Sequence, residues 1–338
     1  MKRNYWMMML CLLAGGIAGC SDDDNGPSWK ELFDKEQATI KEFVKDKSPL
    51  KVFEYDVEYS SGKFVKDYAY LFGHDSTGVT PKVGQFILVN YTQRTLSGDI
   101  LDSTYPSVAG GAKVTPYFEL GGPVYFRIND NDKILDPTSE AWKLMSEGTK
   151  GDIILSSLMT NSTTYLYREY EMEKIIQNES LLAYENELIS NYISEMPVSA
   201  DDIIEIPANE TNAHDTIAKL VMLERGTGET VMSTDSVTLW LEGEILDEIN
   251  TTLRKFVKMQ EGSTTVKMKV SDLPTKGLRM ALITMKEGDK AKLFLPSGMA
   301  YGYGGGWNTL TNQCTVPPYS TLMFTIEINK TERTPTKN

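Results

Sequence analysis

Two histidines, His74 and His214, are all this chain of 338 residues contains, and each lies in a polar stretch with no cysteine beside it. A histidine-based triad or metal site therefore has almost no material, and neither a metal nor a cofactor is expected. The glycines of Gly302–Gly306 are not followed by the helix pattern, lysine and serine or threonine of a phosphate-binding loop. What the chain offers instead is apolar and aromatic surface. Tyr301 stands in Ala300-Tyr301-Gly302, Val316 precedes Pro317-Pro318, and Phe324 lies six residues further on. Tyr303 and Trp307 extend the intervening glycine-rich loop, where exposed aromatics suit the anchoring of a peptide.

These residues are positioned by one folding unit, Gly277 to Ile328. Leu278, Ala281, Leu282 and Met285 form the stripe of a short amphipathic helix, and Gly288 sits where a left-handed C-cap is expected. Ala291, Leu293 and Leu295 alternate as a half-buried strand, as do Leu322, Phe324, Ile326 and Ile328.

The order of Met285, Gly288, Lys290, Pro296, Ser297, Ala300, Tyr301, Gly302, Pro317, Pro318, Leu322, Phe324 and Glu327 resembles the C-terminal half of the FKBP family of peptidyl-prolyl isomerases. That half reads M-x-x-G-x-K, P-S-x-x-A-Y-G, a variable loop, I-P-P and L-x-F-x-I-E. The resemblance implies an enzyme for proline-containing polypeptides that needs no nucleophile. The barrier to be lowered is amide resonance, about 18–20 kcal/mol, and the requirement is an apolar, water-excluding pocket that favours the twisted amide. It places Tyr301, Val316 and Phe324 in the catalytic wall. Leu241 then stands where the family has a first-strand tyrosine, and Leu278 where it has the tryptophan of the pocket floor. No Phe-Asp pair follows Asp247-Glu248.

The unit is also half of an internal repeat. Pro137–Thr160 aligns with Gly277–Ala300 at an offset of 140, the strand Val83–Thr92 corresponds to Thr234–Glu242 at an offset of 150, and Leu166–Met172 to Leu322–Ile328 at 156. The first copy has Tyr91 at the first-strand tyrosine and Leu101-Asp102-Ser103 resembling F-D-S. However, Thr138, Asn161 and Arg168 replace the tryptophan, the loop tyrosine and the last-strand aromatic, and sixteen loop residues are missing. Tyr91, Asp102, Leu241, Leu278, Tyr303 and Trp307 are the expected substrate contacts, with the first copy silent. A non-catalytic binding or assembly module that kept the fold is the second reading.

Alternating strands, one short helix per copy and tight glycine and proline turns fit an α+β fold with a helix across an antiparallel sheet. The resemblance makes this two FKBP-like twisted half-barrels. Each has a leader helix, one opened by the capping-box pattern Ser28-Trp29-Lys30-Glu31 and one over Leu181–Ile193.

At the start, Lys2 and Arg3, an apolar run and Ile17-Ala18-Gly19-Cys20 describe a bacterial lipoprotein signal with Cys20 lipidated. Ser21-Asp22-Asp23-Asp24 resembles the acidic export signal of outer-membrane, surface-exposed lipoproteins. The formal charge of −13, which loss of Lys2 and Arg3 deepens, disfavours nucleic acid as a partner. The expected division is signal 1–19, tether 20–27, first domain 28–176, leader helix and linker 177–214, and second domain 215–330. The expected setting is the cell envelope, with envelope proteins as partners.

Overall fold

The computed structural model describes residues 28–73, 77–130, 136–208, 216–249, 253–259 and 265–333. Cys20, with the signal and tether, and both histidines lie outside the described residues.

Ser28 starts helix α1 (Trp29–Val44) with a reciprocal cap. Its Oγ accepts from the Glu31 amide at 3.3 Å, while the Glu31 carboxylate accepts from the Ser28 amide at 2.6 Å. The inward face of α1 sets Ile40 and Val44 against Tyr70 and Ile154 of the first sheet, and Gln37 donates to Asp67 at 2.9 Å.

That sheet contains β1 (Lys51–Ser60), β2 (Lys63–Phe72), β3 (Phe86–Arg94), β4 (Ile100–Ser103), β5 (Val124–Arg127), β6 (Lys150–Leu155) and β7 (Leu166–Ile175). Short helices α2 (Pro106–Ala112), α3 (Pro137–Trp142) and α4 (Ser157–Thr160) interrupt it. After α5 (Leu181–Ser194) the second sheet is made of β8 (Ile203–Pro207), β9 (Ile217–Glu224), β10 (Ser236–Ile245), β11 (Arg254–Lys258), β12 (Val266–Lys269), β13 (Lys290–Leu295) and β16 (Leu322–Glu332). Helix α6 (Lys276–Leu282) precedes β13, and a hairpin of β14 (Gly306–Asn308) and β15 (Gln313–Val316) stands apart.

The strand orders are β1-β2-β6-β7-β3-β4 with β5 on β3, and β8-β9-β13-β16-β10-β11 with β12 on β10. Strand for strand they are the same antiparallel plan. Register agrees too: Tyr91 faces Tyr170 as Leu241 faces Ile326, and Gln93 faces Arg168 as Gly243 faces Phe324. The fold is α+β, two FKBP-like half-barrels. Leu278, Ala281, Leu282 and Met285 are all fully buried on the second sheet, and Ala141, Trp142 and Met145 on the first.

One expectation changes and two become more definite. Gly288 has a positive φ of 90°, but it is not the helix cap. Helix α6 ends at Leu282 with a right-handed cap at Ile283, and Gly288 turns the chain into β13. The stretch 197–214, read as a linker with room for one short strand, does hold one: β8 within it pairs with β9 as β1 pairs with β2. Finally, α1 packs on its own domain alone, whereas α5 packs on its own domain and on the first as well. Tyr184, Leu188 and Ile189 of α5 join Leu88, Tyr125 and Ile176 of the first domain to Val221, Phe294 and Met323 of the second.

The domains also exchange residues directly. The first-domain segment 117–122 runs beside β15: the Cys314 amide donates to the Tyr117 carbonyl at 2.8 Å and the Glu119 amide to the Cys314 carbonyl at 3.0 Å. Cys314 is thereby buried in the first domain's core beside Phe118, while Leu120 packs on the core of the second. Arg254, paired with buried Asp247 at 3.3 Å, donates to the Gly121 carbonyl. Gly122 has φ +77°, and a Cβ there would lie 2.9 Å from Arg254 Nη1.

In the chain from Ser21 onward Cys314 is the sole thiol, and burial pushes its pKa up to about 11. At pH 8 a disulfide reagent should label it about a hundredfold more slowly in the folded chain than in urea, because only the thiolate reacts. Gly122→Ala should speed the folded-state reaction by crowding Arg254 and loosening the seam. Equal rates with and without urea would disprove the burial.

Candidate functional site

In the second domain six side chains belong to one apolar core with α6. Leu278 rises from the helix, Leu241 from β10, Phe256 from β11, Val316 from β15, Phe324 from β16, and Tyr301 from the loop after β13. Leu278 and Phe324 are completely buried, Val316 and Leu241 nearly so, and Tyr301 and Phe256 half-buried. The Phe256 ring stands edge-on to Phe324 at 5.4 Å and to Tyr301 at 6.3 Å. Gly243 makes room for it, since a Cβ there would lie 2.7 Å from Phe256 Cζ. Burial raises the Tyr301 phenol above its ordinary pKa, which keeps it a proton donor at neutral pH.

Sequence reasoning missed Phe256. The Phe-Asp pair sought after Asp247-Glu248 has its place on β11. Val257 faces Gly243 as Asp102 faces Gln93, so Phe256 answers to Leu101 and Val257 to the carboxylate. The available signal was the apolar pair Phe256-Val257 between Lys255 and Lys258, but the loop before it is longer than in the first copy.

The first domain holds the polar version of the same corner. Tyr91 donates to Asp102 at 2.6 Å, and Asp102 also accepts from the Tyr117 amide at 2.9 Å. Burial, with Asp102 adding to it against Arg168, raises the Tyr91 phenol far above its ordinary value. In the second domain Leu241 and Val257 replace both partners, which leaves no buried donor unsatisfied. Tyr91 and Asp102 are thus brought together, but in a different domain from Tyr301, Val316, Phe324, Leu241 and Leu278. Tyr303 is 82% exposed, and Trp307 stands edge-on to Tyr117 of the first domain at 5.3 Å. The loop aromatics therefore face the first domain, not the Tyr301 cluster.

Residues 227–329 match the family model of the FKBP-type peptidyl-prolyl cis-trans isomerases. This domain belongs to the FKBP family. The macrophage infectivity potentiator of Trypanosoma cruzi is 43% identical over 53 residues, 16% of this chain and 24% of that protein. The chain thus spans about a quarter of that relative's length. Among solved structures, a peptidyl-prolyl cis-trans isomerase of Pseudomonas syringae pv. tomato is 20% identical over 45% of this chain and 94% of its own, with a TM-score of 0.33. FkpA from Escherichia coli is likewise 20% identical, over 45% of this chain and 60% of its own, with a TM-score of 0.34.

The FKBP domain's Pro296-Ser297 corner is held from outside. Glu185 of α5 accepts from the Ser297 amide at 2.7 Å and from Thr321 Oγ1 at 3.2 Å. It thereby ties the segments before Tyr301 and before β16 to the leader helix. Glu185 is buried, and burial raises its pKa despite these donors.

A carboxyl whose folded pKa is raised loses stability as pH climbs from the ordinary carboxyl range to the raised value. Glu185→Gln keeps an acceptor and carries no charge. It should match the parent's stability in acid and exceed it at neutral pH in urea unfolding. Glu185→Ala orphans the Ser297 amide and should cost about 1–3 kcal/mol at either pH. A Gln variant less stable than the parent at neutral pH would contradict the sign.

Proposed function

We propose that the chain is an FKBP-type prolyl isomerase or folding helper of the cell envelope, acting through its second domain. The observation that carries this reading is the ring-lined wall of Tyr301, Phe256 and Phe324 over Leu278, Leu241 and Val316. Such a wall takes a proline ring and excludes water, while the Tyr301 hydroxyl is a donor for a twisted carbonyl. Uncatalysed exchange takes tens to hundreds of seconds, so a dry pocket with one donor has a slow step to accelerate. Proline-containing envelope polypeptides are the substrates of this reading. Lipid on Cys20 supplies the membrane attachment, and Ser21-Asp22-Asp23-Asp24 favours the outer membrane and its surface.

A second reading, a binding module without turnover, is favoured by Val257 in place of the carboxylate and by Leu120 of the first domain packed against this core. The two separate in one assay. The chain from Ser21 onward should accelerate cis/trans exchange of a short X-Pro peptide. Tyr301→Phe should lower that rate roughly tenfold to a hundredfold by removing the donor, and Phe256→Ala should lower it by opening the wall. Background exchange at saturating protein rejects catalysis and leaves the binding module.

A further inference from the structure

The first domain lacks the loop that would cover its own cleft, and the second domain supplies one. A cleft of about 820 Å³ opens beside α3 and β7, with Trp142, Tyr170 and Arg168 on one side and Tyr303, Pro318 and Tyr319 of the second domain on the other. Its aromatic wall is continuous. Trp142 stands edge-on to Tyr170 at 5.4 Å and 4.9 Å from Phe126. Tyr319 crosses the seam to meet Phe86 edge-on at 4.9 Å, and its φ of +61° is a left-handed conformation that a bulky aromatic rarely adopts. The Tyr319 amide donates to the Gly302 carbonyl at 2.9 Å, which holds that turn in place.

Arg168 gives the cleft its chemistry. It occupies the position that Phe324 holds in the second domain, and its guanidinium lies 4.4 Å over the Tyr91 ring. It donates to Gln93 Oε1 at 3.1 Å and reaches the Tyr170 hydroxyl at 3.5 Å. Among the described residues no carboxylate forms an ion pair with it. Asp102 spends its oxygens on Tyr91 and Tyr117, and Asp136, the acid on the cleft wall, accepts from Ser139 and Asn129. A half-buried guanidinium facing an aromatic trough, hydrogen-bonded only to neutral groups although the charge of Asp102 is near, has donor capacity left for a planar anion. The rim carries Thr160, Ser162 and Thr164, hydroxyls suited to main-chain amides.

We infer that this interdomain cleft is a peptide-binding site for a carboxylate next to an aromatic or large apolar side chain, with Arg168 receiving the carboxylate and Phe126, Tyr303 and Tyr319 the ring. The site is separate from the Tyr301 wall and does not depend on turnover there. Both domains build it, so it exists only in the intact chain.

The test is fluorescence anisotropy on the chain from Ser21 to Asn338, which holds every described element. The probes are fluorescein-labelled Ala-Phe-Glu-Ala and Ala-Phe-Gln-Ala, both C-terminally amidated, and Ala-Phe-Gln with a free C-terminus. The Glu peptide should bind about tenfold or more tightly than its Gln counterpart, as befits one charge-assisted contact. The free-acid peptide tells whether a chain terminus serves as well as a side chain. Arg168→Gln should erase the preference and Arg168→Lys should restore part of it. Tyr303→Ala, at an exposed position that folding does not depend on, should weaken both amidated peptides several-fold and leave their ratio intact. Equal binding of the Glu and Gln peptides, or a preference that survives Arg168→Gln, overturns the assignment of Arg168. Unchanged affinities in Tyr303→Ala overturn the shared cleft.

Discussion

Cys314 is carried by the second domain's hairpin and packed in the first domain's core, and most of the interdomain architecture follows from that placement. Backbone hydrogen bonds on either side of it pull β15 against residues 117–122. The same contact delivers Leu120 to the opposite core and Gly121 to Arg254. With α5 wedged between the sheets, the seam is closed by apolar packing, a backbone bridge and a buried ion pair together. Contacts that share residues in this way do not act additively, so the two half-barrels rise or fall as one unit.

The two copies divide polar and apolar chemistry. In one, the corner formed by β3, β4 and β7 holds Tyr91, Asp102, Gln93 and Arg168, joined by hydrogen bonds and a cation over a ring. In the other, the corresponding places hold Leu241, Val257, Gly243 and Phe324, with Phe256 lying over the glycine. Each set is self-consistent. A phenol beside a carboxylate and a leucine beside a valine both satisfy a buried site, whereas either hybrid does not. Long-range packing has divided the corresponding loops as well. The hairpin that one copy lost is present in the other and reaches back across the seam.

Much of this was legible in the residues. The alternation at Leu322–Ile328, the helix stripe at Leu278–Met285 and the offsets of the repeat gave the shared strand plan, because period and spacing are local properties of a chain. The Tyr301, Val316 and Phe324 grouping came from motif order. Phe256 escaped because insertion in the preceding loop hides its alignment, and only strand register identifies its counterpart. A short strand at β8 was legible among the polar residues around it, but its pairing with β9 was not. Nothing local announces that Cys314 crosses into another core, that Leu120 makes the return exchange, or that Glu185 holds Ser297. Those are contacts between residues more than a hundred positions apart, and sequence periodicity does not carry them.

The matched replacement of Tyr91 and Asp102 by Leu241 and Val257 between the two copies has an evolutionary consequence. A single change of Leu241 to tyrosine would bury a phenol facing Val257, and a single change of Val257 to aspartate would place a charge facing Leu241. Each lone step is less stable than either end state, so a fitness valley separates the apolar corner from the polar one. Drift in the second domain is therefore ratcheted. Its pocket can be elaborated around Phe256, but the hydrogen-bonded pair of the first domain is not reached one substitution at a time.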